Sequence, residues 1–184
     1  MPITINGSGT VTGISVGGLP DGIVDNDTIA NSTIAAGKCS FSPGKILQVV
    51  QGSYNTAEST TSTSYVNTSL AATITPASSS NHIYISTQSP GWITEEPGTD
   101  CLGYYALYRS IGPSTICEAG FGLHTGDGAR ADVWTMQNFA LLDSPSTTSA
   151  CTYTVQMKVI SSGYSITHCH NNRKARIVLM EVAA

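Results

Sequence analysis

The chain has 184 residues, of which 11% are charged, and a formal net charge of −4. A globular domain usually carries about 25% charged residues; this chain instead holds 46 Ser and Thr residues and 18 Gly, which argues against a mostly helical fold built from Lys, Glu and Arg. Its eight Lys and Arg residues cluster only at Arg173, Lys174 and Arg176, so no basic stripe follows a phosphate backbone and no nucleic-acid partner is expected.

Thr and the β-branched aliphatics favour pleated, half-buried surfaces, whereas Ser, Gly, Asn and Pro punctuate turns, so the expected class is all-β with many loops. A domain of this size buries roughly 70% of its unfolded surface and needs no metal or disulfide staple. The start Met1-Pro2-Ile3-Thr4-Ile5-Asn6 lacks a positive and then apolar leader, and no apolar run approaches the roughly 20 residues needed to cross a bilayer. The expectation is a soluble protein without membrane insertion. Cys39, Cys101, Cys117, Cys151 and Cys169 include no C-x-x-C pair, so they are read as reduced, mostly buried small hydrophobes.

In chain order, residues 1–44 come first, with Gly7, Gly9, Gly13, Gly17 and Gly18 and a Leu19-Pro20-Asp21-Gly22 turn signal. The scattered Ile3, Ile5, Val11, Ile14, Val16, Leu19, Ile23, Val24, Ile29 and Ile34 exceed what a solvated linker carries, yet the segment is too short for a core of its own. It is expected to be an anchoring and oligomerisation arm covered by other copies or by a docking partner. Asp25 to Ile34 reads as irregular to short helix, because its β-branched residues weaken any helix after the Asp cap.

From residue 45 to 184 the pattern predicts a β-sandwich head, with strands at 45–51, 64–75, 82–88, 102–109, 115–121, 132–142, 151–160, 164–170 and 175–182. Alternation is clearest at Leu70-Ala72-Ile74 and at Tyr153-Val155-Met157-Val159, where every second side chain is apolar. Ser53–Thr63 and Ser89–Thr99 lack a core pattern and are predicted as exposed loops.

Three stretches carry a resemblance. They are Thr10 to Gly22 followed by Asp25 to Lys38, Gly44-Lys45-Ile46-Leu47-Gln48-Val49-Val50-Gln51-Gly52, and Leu142 to Ala150 together with the terminal Ile177 to Ala184. On these residues the chain resembles virion proteins of marine and freshwater tailed phages, especially those of cyanobacteria, of tail-fibre, knob-like or other structural type. Residues 90–135 carry none of the likeness. The resemblance implies a short N-terminal attachment segment, a C-terminal sandwich head that is jelly-roll-like, and a homo-oligomer, specifically a trimer. It implies no catalytic residues and no cofactor. Its partners would be other virion proteins, met through the arm, and a host surface glycan or protein; the chain would be assembled in the host cytoplasm. Capsid decoration, a tail adaptor and a particle-borne polysaccharide depolymerase are the alternatives, and a cellular lectin-like module is a further one.

Candidate sites follow from residue chemistry. No Gly-x-Ser-x-Gly occurs, so a nucleophile elbow is not signalled. Paired-carboxylate glycoside cleavage would draw on Glu95, Glu96, Asp100, Glu118, Asp127, Asp132 and Asp143, most of them in apparent loops. His168-Cys169-His170 places two imidazoles at i and i+2; on a strand both would face one side, and three copies would offer six nitrogens to one axial metal ion. Some phage fibres resemble this arrangement. The competing interpretation is a polar strand end running into Asn171-Asn172, and His82 and His124 read as isolated structural or surface groups. Gly120 to Gly128 reads as a hairpin loop rather than a phosphate cradle, since no Gly-Lys-Ser/Thr ending follows. Trp92, between Pro-Gly and Glu-Glu, is the surface-contact candidate for stacking on a sugar; Trp134, Tyr105 and Phe139 read as core or subunit interface.

Overall fold

The computed structural model describes residues 45–94, 101–112, 114–123, 132–161 and 163–184, and these form a β-sandwich of two antiparallel sheets, as the composition predicts. The chain divides between Pro43 and Gly44. The expected arm at 1–44 and its short helical turn lie outside the described residues, as do Glu95, Glu96, Asp100, His124 and Asp127.

The strands are β1 Ile46–Tyr54, β2 Glu58–Thr60, β3 Val66–Ile74, β4 His82–Thr94, β5 Cys101–Arg109, β6 Ser114–Leu123, β7 Asp132–Gln137, β8 Ala140–Asp143, β9 Cys151–Val159, β10 Ser165–His168 and β11 Ala175–Val182. The 13-residue β4 is the spine of the larger sheet. Its first half lies between β11 and β8, its second half between β10 and β7, with β1 beyond β11 and β2 beyond β10. The smaller sheet runs β3–β9–β5–β6.

Alternation decides which side chains fill the space between the sheets. Along β9, Cys151, Tyr153, Val155, Met157 and Val159 are buried while Thr152, Thr154, Gln156 and Lys158 are half-buried. They face Ile83, Ile85 and Ile93 of β4, Ile177 and Leu179 of β11 and Ile166 of β10, all at 0% exposure. Removing each such side chain from water contributes about 2 kcal/mol, and the set offsets the chain entropy of ordering the strands. A carboxylate closes one end of the sandwich. Glu181 is wholly buried and accepts hydrogen bonds from Gln48 Nε2 at 2.6 Å, Ala77 N at 2.7 Å and Asn81 Nδ2 at 2.6 Å. Although burial pushes the other way, these donors together hold its pKa below the ordinary value.

Four expectations are corrected. Ser53–Thr63 is not a bare loop: β1 runs on to Tyr54, and Glu58–Thr60 pairs with β10, where Ser59 and Thr167 hydroxyls bond at 2.8 Å. Ser89–Thr94 is strand rather than loop, because its residues pair with β7 and, from Gly91 on, with β10, and the Pro90 carbonyl accepts from Cys169 N at 2.9 Å. Gly91 is needed there, since a Cβ would lie 3.0 Å from the Tyr105 ring. The span 132–142 is two strands, broken where Phe139 turns inward and its N–H donates to Thr87 Oγ1 at 2.9 Å. The span 164–170 ends as a strand at His168, because Cys169 takes the left-handed conformation with φ 54°.

Candidate functional site

Cys169 decides where the two histidines go. In an unbroken strand His168 and His170 would share a side, but the left-handed residue between them sends the rings apart. His168 is 0% exposed and faces inward, its ring 5.9 Å from that of Tyr105 and 6.4 Å from that of Tyr54. His170 opens the short turn His170–Asn172 and stacks on Trp92 at 4.2 Å. The expected i, i+2 alignment of His168 and His170 toward one axis is therefore corrected, and among the described residues no group of three His, Cys, Asp or Glu side chains is placed to hold a metal.

The inner group is structural in its chemistry. Burial lowers the His168 pKa despite Glu58 Oε2 at 3.5 Å from Nδ1, so the imidazole is neutral at neutral pH. Glu58 in turn accepts from the backbone N–H and hydroxyl of Ser69, and these bonds hold its pKa low against its own burial. Cys169 Sγ lies 3.6 Å from the His168 ring nitrogens, which suggests a thiol and its base. The electrostatics say otherwise: burial pushes the Cys169 pKa up to about 11, so the group is a thiol and not a thiolate nucleophile.

The outer group is different. Trp92 of β4 and Trp134 of β7 are direct cross-strand partners with ring centroids 6.3 Å apart. His170 sits against both, stacked on Trp92 and edge-on to Trp134 at 4.8 Å, and the Arg173 guanidinium lies 4.7 Å over the Trp134 ring. Trp134 is 46% exposed, and Met136, two residues along, is 44% exposed. Trp92 is half-buried, and its indole N–H is a buried donor with no partner among the described residues. This arrangement gathers two mutually tilted indoles, a cation and an imidazole at one place, which is contact chemistry.

The sequence placed Trp92 in a loop; it lies on a strand, half-buried. Trp134 is exposed rather than core, while Tyr105 and Phe139 are buried. His170 and Arg173 were not connected to the tryptophans by sequence, and the available signal was the alternation Trp134–Met136 on one face of β7. His82 Nδ1 bonds Ser144 Oγ at 2.8 Å. Cys117, Cys151 and Cys169 are free thiols, two of them buried.

The four carboxylates whose side chains are described all have structural partners: Glu58 with Ser69, Glu118 with Tyr65 at 2.7 Å, Asp143 with Arg109 and Tyr153, and Glu181 as above. A shallow hollow of about 330 Å³ lies between the two halves of the outer face, lined by Ser86, Gln88, Asn138 and Arg176 among others, with no carboxylate or imidazole in its wall.

No protein-family model and no curated protein matches the sequence. Among solved structures, the chain is similar to a protein of the icosahedral infectious bursal disease virus particle, with TM-score 0.40, 13% identity, and 77% of this chain covering 36% of that one. It is also similar to the VP2 subviral particle of that virus, with TM-score 0.37, 12% identity and coverage of 74% and 38%, and to the Gx strain of the virus, with TM-score 0.36, 12% identity and coverage of 74% and 37%. The chain thus spans little more than a third of those chains.

Proposed function

We propose that this protein is a non-enzymatic structural component of a bacteriophage virion, a tail fibre or fibre-like knob appendage. In this reading residues 1–44 attach the subunit to other virion proteins, and the sandwich from residue 45 onward is presented outward. The subunit works as a homo-oligomer, a trimer, and multivalent contact with the host surface adds avidity to individually weak interactions. The observation that carries the reading is chemical: the described carboxylates are tied into structural bonds, the thiol beside His168 is held neutral, and the open chemistry is the Trp92–Trp134–His170–Arg173 surface. Such a site holds a partner and turns nothing over. The phage-like stretches of the sequence supply the setting.

Antibody against the sandwich, imaged on purified particles, tests the proposal. Label on the tail periphery is expected; label confined to the capsid shell moves the subunit to decoration, and particles without the chain end the virion assignment. Particles assembled with a chain beginning at Lys45 are expected to lack it, because the attachment segment is gone. New reducing ends after incubation with host envelope polysaccharide would replace adhesion by depolymerase activity.

A further inference from the structure

The cations of the chain are unevenly placed. The net charge is −4, yet three of the eight Lys and Arg residues, Arg173, Lys174 and Arg176, fall within four positions. All three are exposed, and no carboxylate among the described side chains pairs with any of them. They border two features of one outer face. Arg173 lies over Trp134, the cross-strand partner of Trp92. Arg176 forms part of the wall of the hollow, together with Ser86, Gln88 and Asn138.

Strand register puts the two features on one line. Gln88 and Trp92 are four residues apart on β4, so they face the same side and lie about 13 Å from each other. Gln88 pairs with Arg176 of β11, and Trp92 with Trp134 of β7. The hollow opens where β7 gives way to β8: Phe139 is buried there, so the outer face lacks a side chain at that position. The result is a strip with an exposed indole and a guanidinium at one end, and a second guanidinium with hydroxyl and amide groups at the other.

We propose that this strip binds an acidic polysaccharide, with one sugar ring against Trp134 and its carboxylate on Arg173, and a second uronate seated in the hollow on Arg176. Charge selects the occupant: a guanidinium is a planar fork that matches a carboxylate, and cations of one sign along a strip draw a polyanion even to a chain of net negative charge. The amide and hydroxyl groups of Gln88, Asn138 and Ser86 suit sugar hydroxyls. An extended acidic peptide finds no free ladder here, because β4 is paired on both sides along most of this stretch. A nucleic acid strand finds no parallel planes for successive bases, since the indoles are tilted by 46° with His170 against both. The inference rests on the host-contact reading above and adds the class of molecule contacted.

The test titrates the full chain with oligomers of galacturonate and of mannuronate, with the same oligomers methyl-esterified, and with oligodeoxythymidylate, while tryptophan emission is followed. Trp92 and Trp134 are the two tryptophans of the chain, so emission reports on this strip alone. The expected result is a saturable change with a uronate oligomer, weakened by added salt and by about tenfold or more when the carboxylates are esterified. Arg176→Gln is expected to weaken binding by about tenfold as well, with circular dichroism verifying the fold. Lys158→Gln removes the same charge from the other sheet, where Lys158 lies over Tyr65 and Tyr104, and should change nothing. Equal affinity for acid and ester overturns the proposal without any variant, and so does wild-type affinity in folded R176Q. Tighter binding of the thymidylate gives the strip to nucleic acid and overturns it too. Emission indifferent to every probe overturns the acidic-glycan assignment, while the virion reading stands or falls separately on where the antibody labels the particle.

Discussion

Arg109 Nη1 donates to both carboxylate oxygens of Asp143, at 2.8 and 2.7 Å, and so joins β5 of one sheet to the end of β8 in the other. Tyr153 Oη donates to the same carboxylate at 2.7 Å, and Arg109 Nε donates to the Ile111 carbonyl at 2.7 Å. Both charged side chains are mostly buried, at 15% and 12% exposure. Asp143 raises the Arg109 pKa although desolvation alone would lower it. Removing one partner leaves the other charge in a dry place. Asp143→Ala is expected to cost about 3 kcal/mol, read as a lower urea midpoint with an unchanged slope. A midpoint equal to wild type would show that the sheets do not depend on this tie.

Neutral buried His168 makes stability depend on pH in a stated direction. Its folded pKa lies below the ordinary 6.5, chiefly through burial, so the unfolded chain binds its proton first as pH falls. Stability from this group is present above about pH 6.5 and is lost as pH drops toward the folded pKa. His168→Gln is expected to flatten the change in thermal midpoint between pH 7 and pH 5. Identical slopes for the two proteins would remove His168 from the account.

Gly52 carries a backbone contact that no side chain tolerates. A Cβ there would fall on the Ala71 carbonyl oxygen and lie 2.9 Å from Ile177 Cγ2, where β1 approaches β3 across the sandwich edge. Gly52→Ala should cost about 2 kcal/mol or more, since backbone must move. Gly163→Ala meets nothing within 4 Å and should stay within about 0.5 kcal/mol. Chemical denaturation of the two variants side by side reads the difference.

If the Trp92–Trp134–His170–Arg173 surface is the contact site, Trp134→Ala weakens adhesion without weakening the fold. The exposed ring supplies about 1 kcal/mol per contact, and repeated copies compound the loss to about tenfold or more in adsorption to host cells. Unfolding should shift by less than about 1 kcal/mol, because the ring is 46% exposed. Full adsorption by the variant would move the contact elsewhere on the subunit.

The sequence by itself determined the class and most of the core. Period-two alternation is a local property, so Leu70, Ala72 and Ile74 and the odd positions from Tyr153 to Val159 were readable as one inward face before any pairing was known. Tertiary structure decided what alternation cannot carry. Only pairing with β10 and β7 holds the Pro90-Gly91 stretch in a strand and sets Trp92 beside Trp134. Only the left-handed Cys169 places His168 in the core and His170 half-buried against the two tryptophans. The strip from Trp134 to Arg176 is likewise invisible along the chain, because its members come from separate strands and meet through register alone.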